Sequence, residues 1–342
     1  MLAERKKQHL DIVLSGHGSS TGVGTGFERV RFEHVALPEI DMSAIDLTTE
    51  FLGRKLSGPF LVSSMTGGAQ QAQEINHNIA IACEAAGIAF AVGSQRVAIE
   101  TNSDWGMNRE LRRLAPSVPI LANIGAAQLN TGYGIEQARR AIEMIDADAL
   151  IIHLNPLQEA VQPEGDRNWR GLTEKIGLLS QSLHVPLVVK EVGSAVSPMV
   201  AQKLASLGVG IIDVAGAGGT SWAAVEAQRA TTASEAAIAS AFVDWGQPTA
   251  YAISAIRLSL PDIFIIGSGG VRNGVDAAKA IRMGANIVGQ AASVLRSATS
   301  SPEAVADHFE VMSAQLRVAC FCTGSSNLAD LRIARLEATS YP

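Results

Sequence analysis

Eight short apolar runs, each closed by a small or polar residue, recur along the chain and leave few architectures open. They lie at Phe60–Met65, Ile88–Gly93, Pro119–Ile124, Ala149–Leu154, Pro186–Val192, Gly210–Ala215, Ile263–Gly267 and Ile287–Ala291. All are rich in Val, Ile, Leu or Ala and none alternates cleanly, which is how strands buried on both faces of a parallel sheet read. Segments of helical periodicity lie between them, among them Gln73–Ala86, Gly134–Ile145, Pro198–Leu207 and Gly274–Met283. Gly87, Gly208 and Gly284 stand where helices stop, just ahead of the next strand. Eight such alternations predict an α/β fold, a TIM (β/α)8 barrel, with an open doubly wound sheet as the structural rival.

The barrel is expected over 59–300, within a single domain that carries an N-terminal extension, 1–58, and C-terminal helices, 301–342. In the extension, the Gly/Ser/Thr-rich piece Ser15–Gly26 is expected to be mobile. Trp222–Ala250 reads as an insertion after strand six. Hydrophobic residues make up 47% of the chain and charged ones 18%, enough apolar surface for so large a core.

A formal net charge of −6 argues against nucleic acid or an anionic membrane surface as partner. No apolar run reaches the roughly 18 residues of a membrane span, and the charged start MLAERKKQHLDIVL is unlike a signal peptide. Three cysteines, Cys83, Cys320 and Cys322, are too few for a disulfide framework or a zinc site. A reducing, cytoplasmic setting is the expectation.

In a barrel of this kind, reacting groups sit at the C-terminal ends of the strands. Polar residues of this chain collect there: SSMTGG (Ser63–Gly68), GSQR (Gly93–Arg96), Asn123, HLNPLQE (His153–Glu159), KEVG (Lys190–Gly193), AGAGGTSW (Ala215–Trp222), GSGGVR (Gly267–Arg272) and GQAAS (Gly289–Ser293). The last two loops each lead into a helix, an arrangement that lets backbone N–H groups and a helix dipole meet a phosphate. Lys190 ends an apolar strand, so it either pairs with Glu191 or Asp213 or serves as a cation in the mouth. Thr66, Ser94, Asn123 and Thr220 are short hydrogen-bonding groups on four further strand ends, suited to the edges of a flat polar ring. Glu159 is the one carboxylate of HLNPLQE, a hard-ion ligand or simply a helix N-terminal charge. Arg5, Lys6, Lys7 and His9 make a basic start, and Arg96 adds a cation after strand two.

In this order, RKKQHL (Arg5–Leu10), SSMTGG, GSQR, HLNPLQE, EGDRNWRG (Glu164–Gly171), KEVG, GAGGTSW and GSGGVR resemble the type 2 isopentenyl-diphosphate delta-isomerases. The resemblance spans nearly the whole chain, and HLNPLQE with the N-terminal RK-x-x-H are its most specific parts. It implies an FMN site made by Met65, Thr66, Ser94, Asn123, Lys190, Thr220, Gly269, Gly270, Ala291 and Ala292. It implies isopentenyl diphosphate held by Arg5, Lys6, Ser94, Gln95, Arg96 and Gln158, with Glu159 on Mg²⁺. His153, Asn155, Gln158, Lys190 and Trp222 would surround the reacting carbons. A homo-oligomer, tetramer or octamer, and NADPH as the reductant of FMN complete what it implies.

The implied substrate is an unactivated alkene, so protonation of its terminal carbon is easier than direct loss of a proton from C2. HLNPLQE holds no obvious strong acid, and a reduced flavin would fill that gap as proton donor and acceptor, with Lys190 beside its negative edge. Two other readings remain. A hydroxy-acid oxidase on the same barrel wants a His-Gly-x-Arg string after strand six, where this chain has GAGGTSW. A non-catalytic FMN-binding protein would need neither Glu159 nor the diphosphate cations.

Overall fold

A computed structural model describes residues 2–65, 70–101 and 103–337 of the protein. The eight runs become the strands Phe60–Val62, Ala89–Ala91, Ile120–Gly125, Ala149–Leu154, Leu187–Glu191, Ile211–Asp213, Phe264–Ser268 and Ile287–Gln290. Consecutive strands pair in parallel, and the eighth closes on the first, with Val288 opposite Phe60 and Gln290 opposite Val62. Closure rules out the open sheet.

The lack of alternation has a simple cause, since both faces of every strand are buried. Leu61, Ala89, Ala91, Leu121, Ala149, Ile151, Val188, Ile211, Ile266 and Ile287 fill the barrel interior. Their neighbours Phe60, Val62, Phe90, Ala122, Leu150, Ile152, Val189, Ile212, Ile265 and Val288 face the surrounding helices and join a separate, larger apolar cluster. Side chains alternate along a strand with period two, so apolar residues on both faces give an unbroken apolar run.

The described part of the N-terminal extension, 2–58, works at both ends of the barrel. Thr49–Phe51 and Arg54–Leu56 form an antiparallel hairpin whose Phe51 and Leu56 join the interior cluster. Phe51 stacks on Phe264, at the start of strand seven, with ring centroids 5.0 Å apart. Arg54 pairs with Asp148 at 2.9 Å, one residue before strand four. The hairpin therefore plugs the floor.

At the other end, helix Leu2–Leu14 packs on helices Trp222–Arg229 and Ala292–Ala298. The segment that follows corrects the expectation of mobility for Ser15–Gly26. Ser19 pairs with Thr220, Ser20 N–H donates to the Gly219 carbonyl at 3.1 Å, and Ser221 N–H donates to that of Gly18 at 2.8 Å. Asp244 accepts the N–H groups of Thr21, Gly22 and Val23 at 3.0, 2.8 and 3.2 Å. Small, flexible residues let this strand of chain lie flat against loops about 200 positions away, and its backbone groups are satisfied there. The insertion after strand six resolves into helices Trp222–Arg229 and Ala233–Ser240, each capped by the hydroxyl ahead of it, Ser221 and Thr232. Helices Pro302–Cys322 and Leu328–Ile333 close the chain.

Candidate active site

Two residues beyond the interior apolar layer, the same period of two turns a polar layer into the barrel. Asn123 follows Leu121, His153 follows Ile151, Lys190 follows Val188, Asp213 follows Ile211 and Ser268 follows Ile266. Register sets His153, Lys190 and Asp213 side by side on adjacent strands. Lys190 is buried; its ammonium donates to the Glu191 carbonyl at 2.5 Å. Glu191 turns its own carboxylate to the N–H groups of Val192, Gly193 and Ser194 at 2.6, 2.6 and 2.5 Å, and burial pushes its carboxyl up to about 6. Asp213 accepts from the Ser268 hydroxyl at 2.5 Å; burial raises its carboxyl, against the pull of Lys190. Glu191 is thus taken by backbone donors, Asp213 keeps one buried oxygen, Oδ2, without a partner among the described residues, and Lys190 lines both cavities of the mouth.

His153 is held as a neutral ring. Its Nδ1 lies 2.8 Å from the Asn123 Oδ1, and the Asn123 Nδ2 donates to the Val92 carbonyl at 3.2 Å. That fixes the amide and makes Nδ1 the protonated nitrogen. Burial, then Lys6 and Lys190, bring the ring down to about 3.

Two adjoining cavities open above this layer. The first, about 190 Å³, is lined by Arg5, Lys6, Met65, Ser94, Arg96, Asn123, His153, Asn155, Gln158, Glu159 and Trp222. The second, about 380 Å³, is lined by the loops after strands six, seven and eight, including Gly269, Gly270, Arg272 and Gln290. Lys190, Thr220, Ala291 and Ala292 stand on the wall they share. Gln95 is not there. It is fully buried behind the barrel wall, where its amide donates to the Ala141 carbonyl at 2.8 Å and accepts from Asn123 N–H at 2.9 Å. The expected substrate contact of Gln95 is corrected accordingly: its side chain supports strand three. Thr66 lies outside the described residues.

Loops after strands six and seven meet backbone to backbone. A Cβ on Gly219 would come within 2.6 Å of the Gly270 nitrogen, and Gly269 and Gly270 have φ of +110° and +71°. Only glycine takes that turn without strain. Arg272 reaches the Gly218 carbonyl at 3.3 Å, and helix Ala292–Ala298 opens on the same cavity with no side chain capping it. One end of the second cavity is therefore suited to a phosphate, and the shared wall carries a buried cation. Ser63 on the second cavity, and Ser64 and Asn155 on the first, each hold a buried oxygen with no partner among the described residues. A flat polar ring with a phosphate tail, the implied FMN, fits Ser63, Ser64 and the shared wall, which leaves the Asn155 oxygen to a second molecule in the first cavity.

Helix Leu2–Leu14 roofs the first cavity and brings the cations. Its His9 pairs at 3.0 Å with Glu226, a buried carboxylate that the sequence reading missed. Glu226 also accepts from Gln158 Nε2 at 3.2 Å, and its other oxygen pairs with Arg229. Burial pushes its carboxyl up, but His9, Arg229 and Gln158 outweigh burial and leave it below its ordinary value. The one available signal was its place four residues after Trp222, on the same helix face; Trp222 itself meets His9 edge-on, centroids 5.1 Å apart. Turning the Gln162 amide lets it donate to Glu226 at 3.2 Å and accept from Arg5 at 2.8 Å.

Charges in the first cavity temper one another. Burial, helped by Arg5 and Arg96, lowers Lys6 to about 8, with Glu159 pulling it back up. Burial also lowers Arg5, and Glu159 opposes that shift too. Arg96 pairs with Glu100 at 2.9 Å and Asp166 at 3.1 Å. Glu159 is more committed than its sequence position suggested. Asn155 Nδ2 donates to one oxygen at 2.9 Å and Asp166 N–H to the other at 2.7 Å. Among the described residues no three acidic, histidine or cysteine groups gather into a self-standing metal site. Glu159 fits Mg²⁺ only as one protein ligand of an ion that arrives with phosphate oxygens.

The family model of FMN-dependent dehydrogenases matches residues 12–104 and 150–338. An isopentenyl-diphosphate delta-isomerase of Stutzerimonas stutzeri (strain A1501) is 59% identical over 98% of this chain and 97% of its own length. One from Synechocystis sp. (strain ATCC 27184 / PCC 6803 / Kazusa) is 49% identical over 96% of this chain and 93% of its own. Among solved structures, a lactate oxidase of Pediococcus acidilactici superposes with a TM-score of 0.68 at 17% identity, covering 99% of this chain and 94% of its own. That likeness speaks for the barrel alone. The two cavities, the loop GAGGTSW without histidine or arginine, and relatives matched along almost their full length converge: the chain is an enzyme of the FMN-dependent dehydrogenase family and belongs, within it, to the type 2 isopentenyl-diphosphate delta-isomerases.

Proposed function

We propose that the enzyme interconverts isopentenyl and dimethylallyl diphosphate with reduced FMN held across the wall the two cavities share, its phosphate in the second, and the substrate in the first beneath helix Leu2–Leu14. The observation that carries this is that, among the described residues, the first cavity has no carboxyl group besides Glu159 to serve as an acid at the carbons. His153 stays neutral far below pH 7, and Glu159 sits among cations and N–H donors at the diphosphate end. Reduced FMN, when bound against Lys190, supplies the missing proton donor and acceptor.

The chain's own residues do the rest. Arg5, Lys6 and Arg96 gather the diphosphate, and Glu159 shares its Mg²⁺. Gln158, fixed by Glu226, Asn155 with its free carbonyl oxygen, and His153 orient the allylic carbons. Trp222 and helix Leu2–Leu14 keep water out of the mouth. NADPH would only bring the flavin to its reduced state, because the reaction is redox-neutral. A cytoplasmic setting, supported by three cysteines outside any disulfide, and a homo-oligomer, tetramer or octamer, belong to the same reading.

With FMN reduced once under anaerobic conditions, many turnovers should follow without added reductant. In D₂O the product should gain deuterium in its newly formed methyl group. Consumption of one NADPH per product would overturn the proposal. Lys6 gives a second test. A diphosphate binds the ammonium form, and the free enzyme loses that form as pH rises through about 8. The value of kcat/KM should therefore fall above pH 8, and Lys6→Arg should move that limb to higher pH. An unmoved limb would take Lys6 out of substrate binding.

A further inference from the structure

The long helix Pro302–Cys322 lies outside both cavities, yet three of its residues reach the segments that frame the second. His308, Met312 and Gln315 share one stripe, at spacings of four and three. His308 Nε2 lies 2.7 Å from Gln290 Oε1, at the end of strand eight. The Gln290 Nε2 donates to the Val271 carbonyl at 3.0 Å, within GSGGVR after strand seven. That carbonyl can only accept, so the Gln290 amide has one orientation and His308 is the donor to it. Gln315 Oε1 accepts from Gly274 N–H at 2.7 Å, three residues on, where the loop ends and helix Gly274–Arg282 begins. A Cβ on Gly274 would come within 2.3 Å of the Met312 carbonyl, so the two helices touch directly where the loop ends.

We propose that His308, acting through Gln290, and Gln315 are positioning residues that hold the loop after strand seven in the shape that takes the FMN phosphate. The chain of donors runs helix to strand eight to the loop after strand seven, and it ties that loop to the end of strand eight, between which a phosphate would sit. Val271 stands between Gly270 and Arg272, and its carbonyl sets the orientation of the peptide that joins it to Arg272. Without the tie, the glycine loop keeps its sequence but loses its set geometry, and a preformed anion site becomes one that must be ordered on binding. The inference rests on placing the phosphate at these loops.

Riboflavin separates the positioning role from general damage, because it has the ring and lacks the phosphate. Full-length apoprotein would be titrated with FMN and with riboflavin, following the quenching of flavin fluorescence. His308→Leu should raise the FMN Kd about tenfold and leave the riboflavin Kd within about twofold. His308→Gln, which keeps an N–H donor toward Gln290, should restore FMN affinity. Gln315→Ala, made independently, should show the same preference for damage to FMN, and so covers a His308→Leu chain that fails to fold. Equal weakening of both flavins, or none in either variant, overturns the proposal. Wild-type protein that binds riboflavin as tightly as FMN would instead remove the phosphate placement, a failure of the underlying reading.

Discussion

Lys190→Ala is expected to slow isomerisation by roughly a thousandfold, the upper range for removing one preorganised electrostatic group from a dry site. Lys190 is the buried cation on the wall common to both cavities, and it projects from the same layer as His153. Its loss would leave the anionic edge of a reduced flavin without a counter-charge. The reduced flavin should then take up a proton at higher pH, visible in its absorption spectrum, and the flavin potential should fall. Asp213 and Glu191, which Lys190 now pulls down, would be protonated more easily still. Unchanged turnover with an unchanged reduced spectrum would show Lys190 to be a structural cation.

Glu159→Gln should lower kcat/KM about a hundredfold, ~2.7 kcal/mol, with little loss of bound FMN. The amide keeps the shape and one acceptor for Asn155 but gives up the charge that a hard cation requires. Turnover should become far less responsive to Mg²⁺. An independent mark follows from the cavity's electrostatics. Glu159 raises Lys6, so its removal should shift the alkaline limb of kcat/KM to lower pH. A variant with normal Mg²⁺ dependence and an unmoved limb would place Glu159 among helix-end charges.

The barrel was readable because its strands are buried on both faces, which makes each of them an uninterrupted apolar run. The polar layer was readable for the same geometric reason, with Lys190, Asn123 and His153 standing where such runs end. Floor and roof were not. The plugging strands Thr49–Phe51 and Arg54–Leu56 are three residues long, too short for a period to show. Glu226 lies inside an insertion helix, and nothing local to it announces a partner as distant as His9. Gln95 was misplaced because it follows Ser94 directly, whereas successive residues near a strand end turn to opposite sides. Ser15–Gly26 looked loose since its composition is that of a linker; its order comes from bonds to Gly219, Thr220, Ser221, Asp244 and Ala250, which no window along the chain can see.

Pairing between Ser19 and Thr220 also has a consequence for the order of assembly. The first 58 residues emerge from the ribosome before any surface they cover exists. Phe51 waits for Phe264, and His9 waits for Glu226. Contacts of such long sequence separation come late and slowly in folding. These residues thus find their places late, as does strand one, which waits for strand eight, and Arg5 and Lys6, the proposed substrate cations, are set only once Glu226 has been made.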